Sequence, residues 1–320
     1  MKKLLKLLLK LYHFIIKLRI LFYQSGFFNT YKCNSKVISI GNISFGGSGK
    51  TPLTIEIANN LKNQGYKVSI LSRGYKRKDE STPKIIFNGE NFNCTIEESG
   101  DEPYLIAKKT GLPVCVSKER VKGADILIKH FSPDFIILDD GFQHLKLFRD
   151  HDILLLSEDD ITGKNIFLRE PFENIKRADS IIITKVKNIS NLKKLYFKIR
   201  KFTKKDIFYA NFKIKFLKDL KNNDILNIDY FKNREIIIFC GIANPDFLKF
   251  QLLQYDLKVE KIISFKDHVK YSEKEYKILD KYKNKILITT EKDEVKLNKD
   301  RLKDFNIFVI VVDLEIKNIF

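Results

Sequence analysis

The stretch Gly46-Gly47-Ser48-Gly49-Lys50-Thr51 brings together the residue types that grip a triphosphate. Glycines let backbone N–H groups close around phosphate oxygens without Cβ clashes. A lysine placed like Lys50 reaches the β and γ phosphates, and a hydroxyl placed like that of Thr51 is a ligand for Mg²⁺. Ser44 and Phe45 lead into this core. Ser44 stands where the usual G-x-x-x-x-G-K-[ST] pattern has its first glycine. Such a loop needs an acidic residue at the tip of a neighbouring apolar strand to hold the cation or its water. The apolar run 135–138 ends in Asp139-Asp140, and a cation relieves the repulsion between two adjacent carboxylates.

Further candidates lie outside the loop. Asp101 follows Gly100 just ahead of a predicted helix, where an aspartate serves either as a general base or as a helix N-cap. Glu102 stands beside it, placed to assist with metal or substrate. The five histidines are His13, His130, His144, His151 and His268. His268 follows a predicted strand end beside Asp267, as a catalytic imidazole or as half of a surface pair. Gln143 and His144 come just after the acidic pair, facing phosphates or substrate. Arg73, Arg120 and Arg169 offer guanidinium forks that suit phosphate oxygens, and Glu170, beside Arg169, is expected to touch metal, nucleotide or substrate. Thr184-Lys185 and Thr290-Glu291-Lys292-Asp293 also end strands; they contact nucleotide or hold a domain interface. The four cysteines, Cys33, Cys94, Cys115 and Cys240, have no metal-ligand spacing and fit a reducing, cytosolic compartment.

These residues need a frame. Short apolar runs at 37–40, 68–71, 113–116, 135–138, 153–156 and 181–183 alternate with helical stretches at 51–64 and 102–109. Continuous apolar runs are what strands buried on both faces look like. The alternation predicts an α/β fold of P-loop NTPase type: a mostly parallel sheet with helices on both faces. Residues 186–233 turn Lys- and Asn-rich and less regular. Strand-like runs at 236–239, 262–263, 286–289 and 308–312, with helices at 246–253 and 273–282, predict a second, smaller α/β unit. The expected division is 1–28, an amphipathic helix; 29–228, the nucleotide-binding domain; and 229–320, a smaller domain closing over the site.

At about 100° per residue, Lys3, Lys6, Lys10, His13 and Lys17 share one narrow stripe of the first helix, and apolar residues cover most of the rest. Lys6, Lys10 and Lys17 interrupt every window long enough to span a bilayer. The pattern predicts an interfacial helix, apolar face in the acyl boundary and lysines on the headgroups. The 320 residues carry 59 Lys and Arg against 40 Asp and Glu, a net +19 that favours an anionic partner. The basic clusters lack the interleaved aromatics of a nucleic-acid groove, so nucleic acid is not the expected partner. Nothing marks an obligate protein partner.

Ser44 to Pro52, Ser72-Arg73-Gly74-Tyr75, Gly100-Asp101-Glu102-Pro103, Asp139-Asp140-Gly141-Phe142-Gln143-His144, Leu168-Arg169-Glu170-Pro171, Phe265-Lys266-Asp267-His268 and Thr290-Glu291-Lys292-Asp293 follow one another in a single order. This series resembles the tetraacyldisaccharide 4'-kinases of lipid A biosynthesis. The resemblance implies transfer of the γ-phosphoryl group of ATP, with Mg²⁺, to the 4'-hydroxyl of a tetraacylated, 1-phosphorylated glucosamine disaccharide. It implies Asp101 as the base with His268 orienting it. It also implies a peripheral enzyme on the cytoplasmic face of the bacterial inner membrane, where the anionic lipid substrate resides. Many relatives carry Asp-His-His where this chain has Asp267-His268-Val269. The competing reading is a membrane-associated regulatory ATPase or GTPase, which shares the glycine loop and the amphipathic helix.

Overall fold

The computed structural model describes residues 2–319, with side chains described from Leu9 onward. Among these residues one sheet contains thirteen strands. They are β1 (Lys36–Asn42), β2 (Val68–Ser72), β3 (Lys84–Phe87), β4 (Val114–Val116), β5 (Phe135–Asp139), β6 (His151–Ser157), β7 (Ser180–Thr184), β8 (Asp206–Asp219), β9 (Ile225–Leu226), β10 (Glu235–Cys240), β11 (Lys258–Ser264), β12 (Ile286–Thr290) and β13 (Asn306–Asn318). The helices are α1 (Lys2–Gln24), α2 (Lys50–Asn63), α3 (Ile96–Ser99), α4 (Asp101–Thr110), α5 (Arg120–Phe131), α6 (Glu158–Thr162), α7 (Leu192–Arg200), α8 (Pro245–Leu253), α9 (Glu273–Asp280) and α10 (Glu291–Glu294).

The order across the sheet is β11-β10-β12-β13-β8-β7-β6-β1-β5-β2-β4-β3, with β9 beside β8. Strands β4, β2, β5, β1, β6, β7 and the start of β8 run parallel, as do β11, β10, β12 and the start of β13. Within the sheet the two parallel blocks are joined by the antiparallel ladder of β8 and β13. The register fixes how they face each other. Strand β7 pairs with β8 at Asp206 to Tyr209, and β12 pairs with β13 at Asn306 to Ile310. These are opposite ends of the ladder, because Phe308 lies across from Asp219 and Asn318 across from Phe208. Both blocks therefore point their carboxyl ends at the middle of the ladder, where Val311 and Val312 face Phe216 and Ile214 around an extra residue, Lys215. Ligands of open α/β sheets bind at carboxyl ends of strands, and here two sets of such ends converge.

Alternation along the strands sends successive side chains to opposite faces. Leu155 and Ile182 pack with Leu53, Ala58, Ile106 and Ala107 of α2 and α4. Leu154, Leu156, Ile181 and Ile183 pack with Ile161, Leu195 and Ile199 of α6 and α7 on the other face. The second block repeats the scheme: Ile236, Ile238 and Cys240 meet Leu248 and Leu252 of α8, whereas Ile237 and Phe239 meet Tyr276 and Leu279 of α9.

Helix α1 lies along the first block. Ile20 is buried, Tyr12 Oη donates to Arg169 O at 2.9 Å, and an Arg19 Nη donates to Gln143 O at 3.2 Å. His13, read from sequence as part of the polar stripe, is turned to the body instead, with Nε2 3.5 Å from Leu168 O. Lys10 and Lys17 are exposed; the side chains of Lys3 and Lys6 lie outside those described. The face away from the body is apolar and open: Leu11, Phe14, Ile15 and Leu21 are each more than half exposed, at 56, 57, 55 and 54%. Among the described residues, no helix is long and apolar enough to cross a membrane.

Candidate active site

The glycine loop leaves the tip of β1 and runs into α2, so its N–H groups gather at a helix N-terminus, a ready site for phosphate. Pro52 sits in the first turn, where a missing N–H costs nothing. Gly49 has φ +94°, and the ring of Phe212 from β8 fills the space any Cβ would need. Ser44 uses its hydroxyl: it donates to Asp160 Oδ2 at 3.2 Å, and Asn42 Nδ2 donates to Gly46 O at 3.4 Å. Phe45 is exposed, with the Arg169 guanidinium 5.4 Å from its ring centroid. Thr184 Oγ1 donates to Ser48 O at 3.1 Å and pins the loop to β7.

Asp139 and Asp140 end β5 beside the loop and differ sharply. Asp139 accepts from Ser72 Oγ at 2.9 Å and Thr54 Oγ1 at 3.3 Å. Burial, with Glu102 and Asp140 nearby, pushes its carboxyl up to about 6. Burial also opposes the charge on Asp140, but Lys50 at 3.4 Å and Arg169 at 2.9 Å outweigh it and hold that carboxyl at about 2. Thr51, Asp139 and Asp140 together offer only oxygen donors, the set a hard divalent cation prefers. That cation would also relieve the unfavourable burial of the Asp139 carboxylate.

A cavity of about 1140 Å³ opens between the two blocks. Gly46 to Thr51 and Asp140 line one side, and Asp267, His268, Thr290, Glu291 and Lys292 line the other. Phe212, Phe216 and Val311 to Leu314 of the ladder lie between. Arg73, Glu102, Arg120, Gln143, His144 and Arg169 reach it as well, and Tyr12 of α1 stands at its rim. Asp101, 8% exposed, is set behind Glu102 and His268 in the first turn of α4. Gly100, at φ +87°, turns the chain into that helix. His268 Nδ1 is 2.8 Å from Oδ1 and 3.0 Å from Oδ2 of Asp101, across 167 residues of sequence. Burial alone would raise the Asp101 carboxyl, yet His268, Lys292 and Lys296 bring it to about 2. An ionised carboxylate only accepts, so Nδ1 carries the hydrogen of this contact. His268 itself adopts φ +62° and has Asp267 Oδ2 3.8 Å from Nε2.

The remaining candidates divide. Arg120 is buried, donates to Ser117 O and Lys118 O, and is lowered by burial to about 10. His144 is pushed down to about 4 by burial and by Arg120, Arg149 and Arg19, so it is neutral at pH 7. Arg73 pairs with Glu80 at 3.8 Å. Gln143 Nε2 donates to Asn42 O and to Glu170 Oε1. Glu170 differs from the sequence expectation of substrate or metal contact. It is 1% exposed and occupied by Arg177, Asn174 and Gln143, so it braces Gln143 from below the cavity floor.

Thr290 to Asp293, expected from sequence to contact nucleotide or hold a domain interface, form the N-cap and first residues of α10. Lys292 bridges Glu102 at 2.9 Å and Asp267 at 3.2 Å, joining the two blocks beside Asp101. Lys109 pairs with Glu291, and Lys108 with Glu294 at 3.7 Å. Asp293 is fully buried and accepts from Gly241 N, Tyr271 Oη, Thr290 Oγ1 and Lys296 Nζ. Asp293→Ala strands these donors and is expected to cost about 3 kcal/mol of stability, measurable as a lower urea midpoint; an unchanged midpoint contradicts this.

The model of the tetraacyldisaccharide-1-P 4'-kinase family matches residues 1–320. A tetraacyldisaccharide 4'-kinase of Halothermothrix orenii is 33% identical over 341 aligned positions, covering 98% of this chain and 88% of the relative. That of Aquifex aeolicus is 37% identical over 296 positions, covering 90% and 87%. The crystal structure of LpxK from Aquifex aeolicus in complex with ATP superposes with a TM-score of 0.75 at 34% identity, over 96% of this chain and 92% of that one. On the length of these matches, the chain belongs to the tetraacyldisaccharide 4'-kinase family.

Proposed function

We propose that the chain transfers the γ-phosphoryl group of ATP to the 4'-hydroxyl of a tetraacyldisaccharide 1-phosphate. The observation that carries this reading is one cavity with a glycine loop on one wall and, on the other, His268, whose Nδ1 holds the Asp101 carboxylate just behind that wall. Backbone N–H groups of residues 44–51 and the Lys50 ammonium take the triphosphate. Thr51, Asp139 and Asp140 are the residues that would hold Mg²⁺, which would supply neutralisation of phosphate charge.

A sugar hydroxyl is a poor nucleophile at neutral pH, so its proton needs an acceptor as the bond to phosphorus forms. Asp101 is assigned as acceptor, with His268 Nδ1–H orienting the carboxylate. Lys292 steadies both partners through Glu102 and Asp267. Arg169 stands over Asp140 at the phosphate end, placed for charge spreading onto the transferred group. Asp101 and His268 come from different blocks, whose strands are joined by the β8–β13 ladder. The 29–228 and 229–320 units are therefore read as closing on the nucleotide, which keeps water from the γ-phosphate.

The lipid substrate stays in a bilayer, and α1 is read as the part that rests there. Its open apolar face and the exposed Lys10 and Lys17 fit the acyl boundary and anionic headgroups. The rim residue Tyr12 belongs to the same helix, so the cavity opens next to that surface. This reading seats the enzyme peripherally on the cytoplasmic face of the inner membrane. Leu11→Asp with Ile15→Asp is expected to weaken sedimentation with anionic vesicles by about tenfold or more. Equal vesicle binding by the double variant contradicts the seating. For the reaction itself, γ-labelled ATP and the disaccharide lipid are the test: label in lipid supports transfer, and label only in free phosphate points to the regulatory ATPase instead.

A further inference from the structure

A second cavity of about 550 Å³ continues from the first along the outer side of the glycine loop. The two share Gly46, Gly47, Ser48, Lys185 and Phe247. Lys185 follows the last residue of β7 and stands at the junction. Its ammonium is 4.0 Å from where a Cβ on Gly47 would be and 5.5 Å from the Phe247 ring centroid. Apart from that ring it has no ion pair or hydrogen bond with any described residue. Lys185 is partly buried, and an ammonium drawn out of water is costly unless an anion meets it. The backbone bears a cost as well, since Lys185 is a non-glycine residue at φ +55°. Thr184, bonded to Ser48 O, fixes this geometry against the loop. Two cations, Lys50 and Lys185, thus face one space from different elements; Asp160 and Asp159 act on the second from a distance without an ion pair, and Glu158 and Lys187 line the same second cavity.

We infer that Lys185 is a further nucleotide ligand: its ammonium binds the phosphate chain on the nucleoside side of Lys50, and the second cavity takes the nucleoside. In that cavity Asn244 caps α8 through its Oδ1 and leaves its amide N–H groups for a sugar or base. The inference rests on the nucleotide-binding reading of the glycine loop and adds a residue to it.

A pH signature separates this role from a structural one. Without nucleotide, burial pushes the Lys185 ammonium down to about 8, against Asp160 and Asp159 and with Lys50 repelling it. A bound polyanion favours the charged form and moves it up. Affinity contributed by Lys185 is then full below about 8 and declines as the pH rises above it.

The test is calorimetric titration of the full-length protein with Mg²⁺-ADP at pH 7.5 and 9.0. At pH 7.5, Lys185→Met is expected to bind about tenfold or more weakly, and Lys185→Arg to keep most of the affinity. Wild type should lose about fivefold between the two pH values, and Lys185→Arg almost nothing. Thermal melting without ligand shows that the variants are folded. A folded Lys185→Met that binds Mg²⁺-ADP like wild type overturns the inference, as does the same pH dependence in wild type and Lys185→Arg. If wild type binds no nucleotide at all, the parent reading fails, which is a distinguishable result.

Discussion

Lys50→Ala is expected to lower phosphoryl transfer by about a thousandfold. Lys50 is the residue whose charge points both at the phosphates and at Asp140, 3.4 Å away. Its loss acts twice. The β and γ oxygens lose a cation whose side chain is only 12% exposed, where electrostatic interactions are stronger than in water. Asp140 is left with Arg169 as its one ion-pair partner among the described residues. Nucleotide affinity should fall together with turnover. The check is Kd for Mg²⁺-ATP alongside the rate of lipid phosphorylation. Unchanged values for both contradict the assignment of the loop.

Asp101→Asn should behave differently, and that difference is informative. The amide keeps the size of the carboxylate but cannot take a proton. Transfer is expected to drop on the order of 10³-fold, within the range for a lost general base. Nucleotide affinity should hold, because Asp101 is part of neither the loop nor the oxygen set beside it. His268→Ala removes the group that holds the carboxylate at 2.8 Å, so it should cost less than the loss of Asp101. The double variant should be no worse than Asp101→Asn, since groups acting as one unit are not additive. A double variant whose loss is the product of the two single losses would show that the residues act independently.

What was legible in the sequence was what is local. The glycine loop, the apolar run ending in Asp139-Asp140 and the strands of both blocks each carry their signal within about ten residues, and the parallel sheet follows. Strand β8 was not legible. Its stretch, Asp206–Asp219, mixes Ile207, Tyr209 and Leu217 with Lys213, Lys215 and Lys218. Its start packs on both faces, with Ile207 in one core and Ala210 in another, but beyond Phe212 the exposed Lys213 and Lys215 alternate with Ile214, so it lacks the continuous apolar run of the inner strands. Missing β8 also hid the ladder with β13, and with it the reason two sets of strand ends converge. The stripe on α1 was read from angle alone, and His13 turned out to face Leu168 because the body, unseen in the sequence, claims that side of the helix. Glu170 looked like a ligand because it adjoins Arg169; that Arg177, 2.8 Å away, saturates it is a tertiary fact. The same holds for Lys185. Its position after a strand is written in the sequence, whereas its lack of a partner is not.

The most direct measurement of the central claim is the fate of γ-labelled phosphate when the purified chain meets ATP, Mg²⁺ and vesicles carrying the disaccharide 1-phosphate. The account predicts label on the 4'-oxygen of the lipid with wild type, and almost none with Asp101→Asn despite normal nucleotide binding. Lipid left unlabelled by wild type, or labelled equally by both proteins, would contradict it.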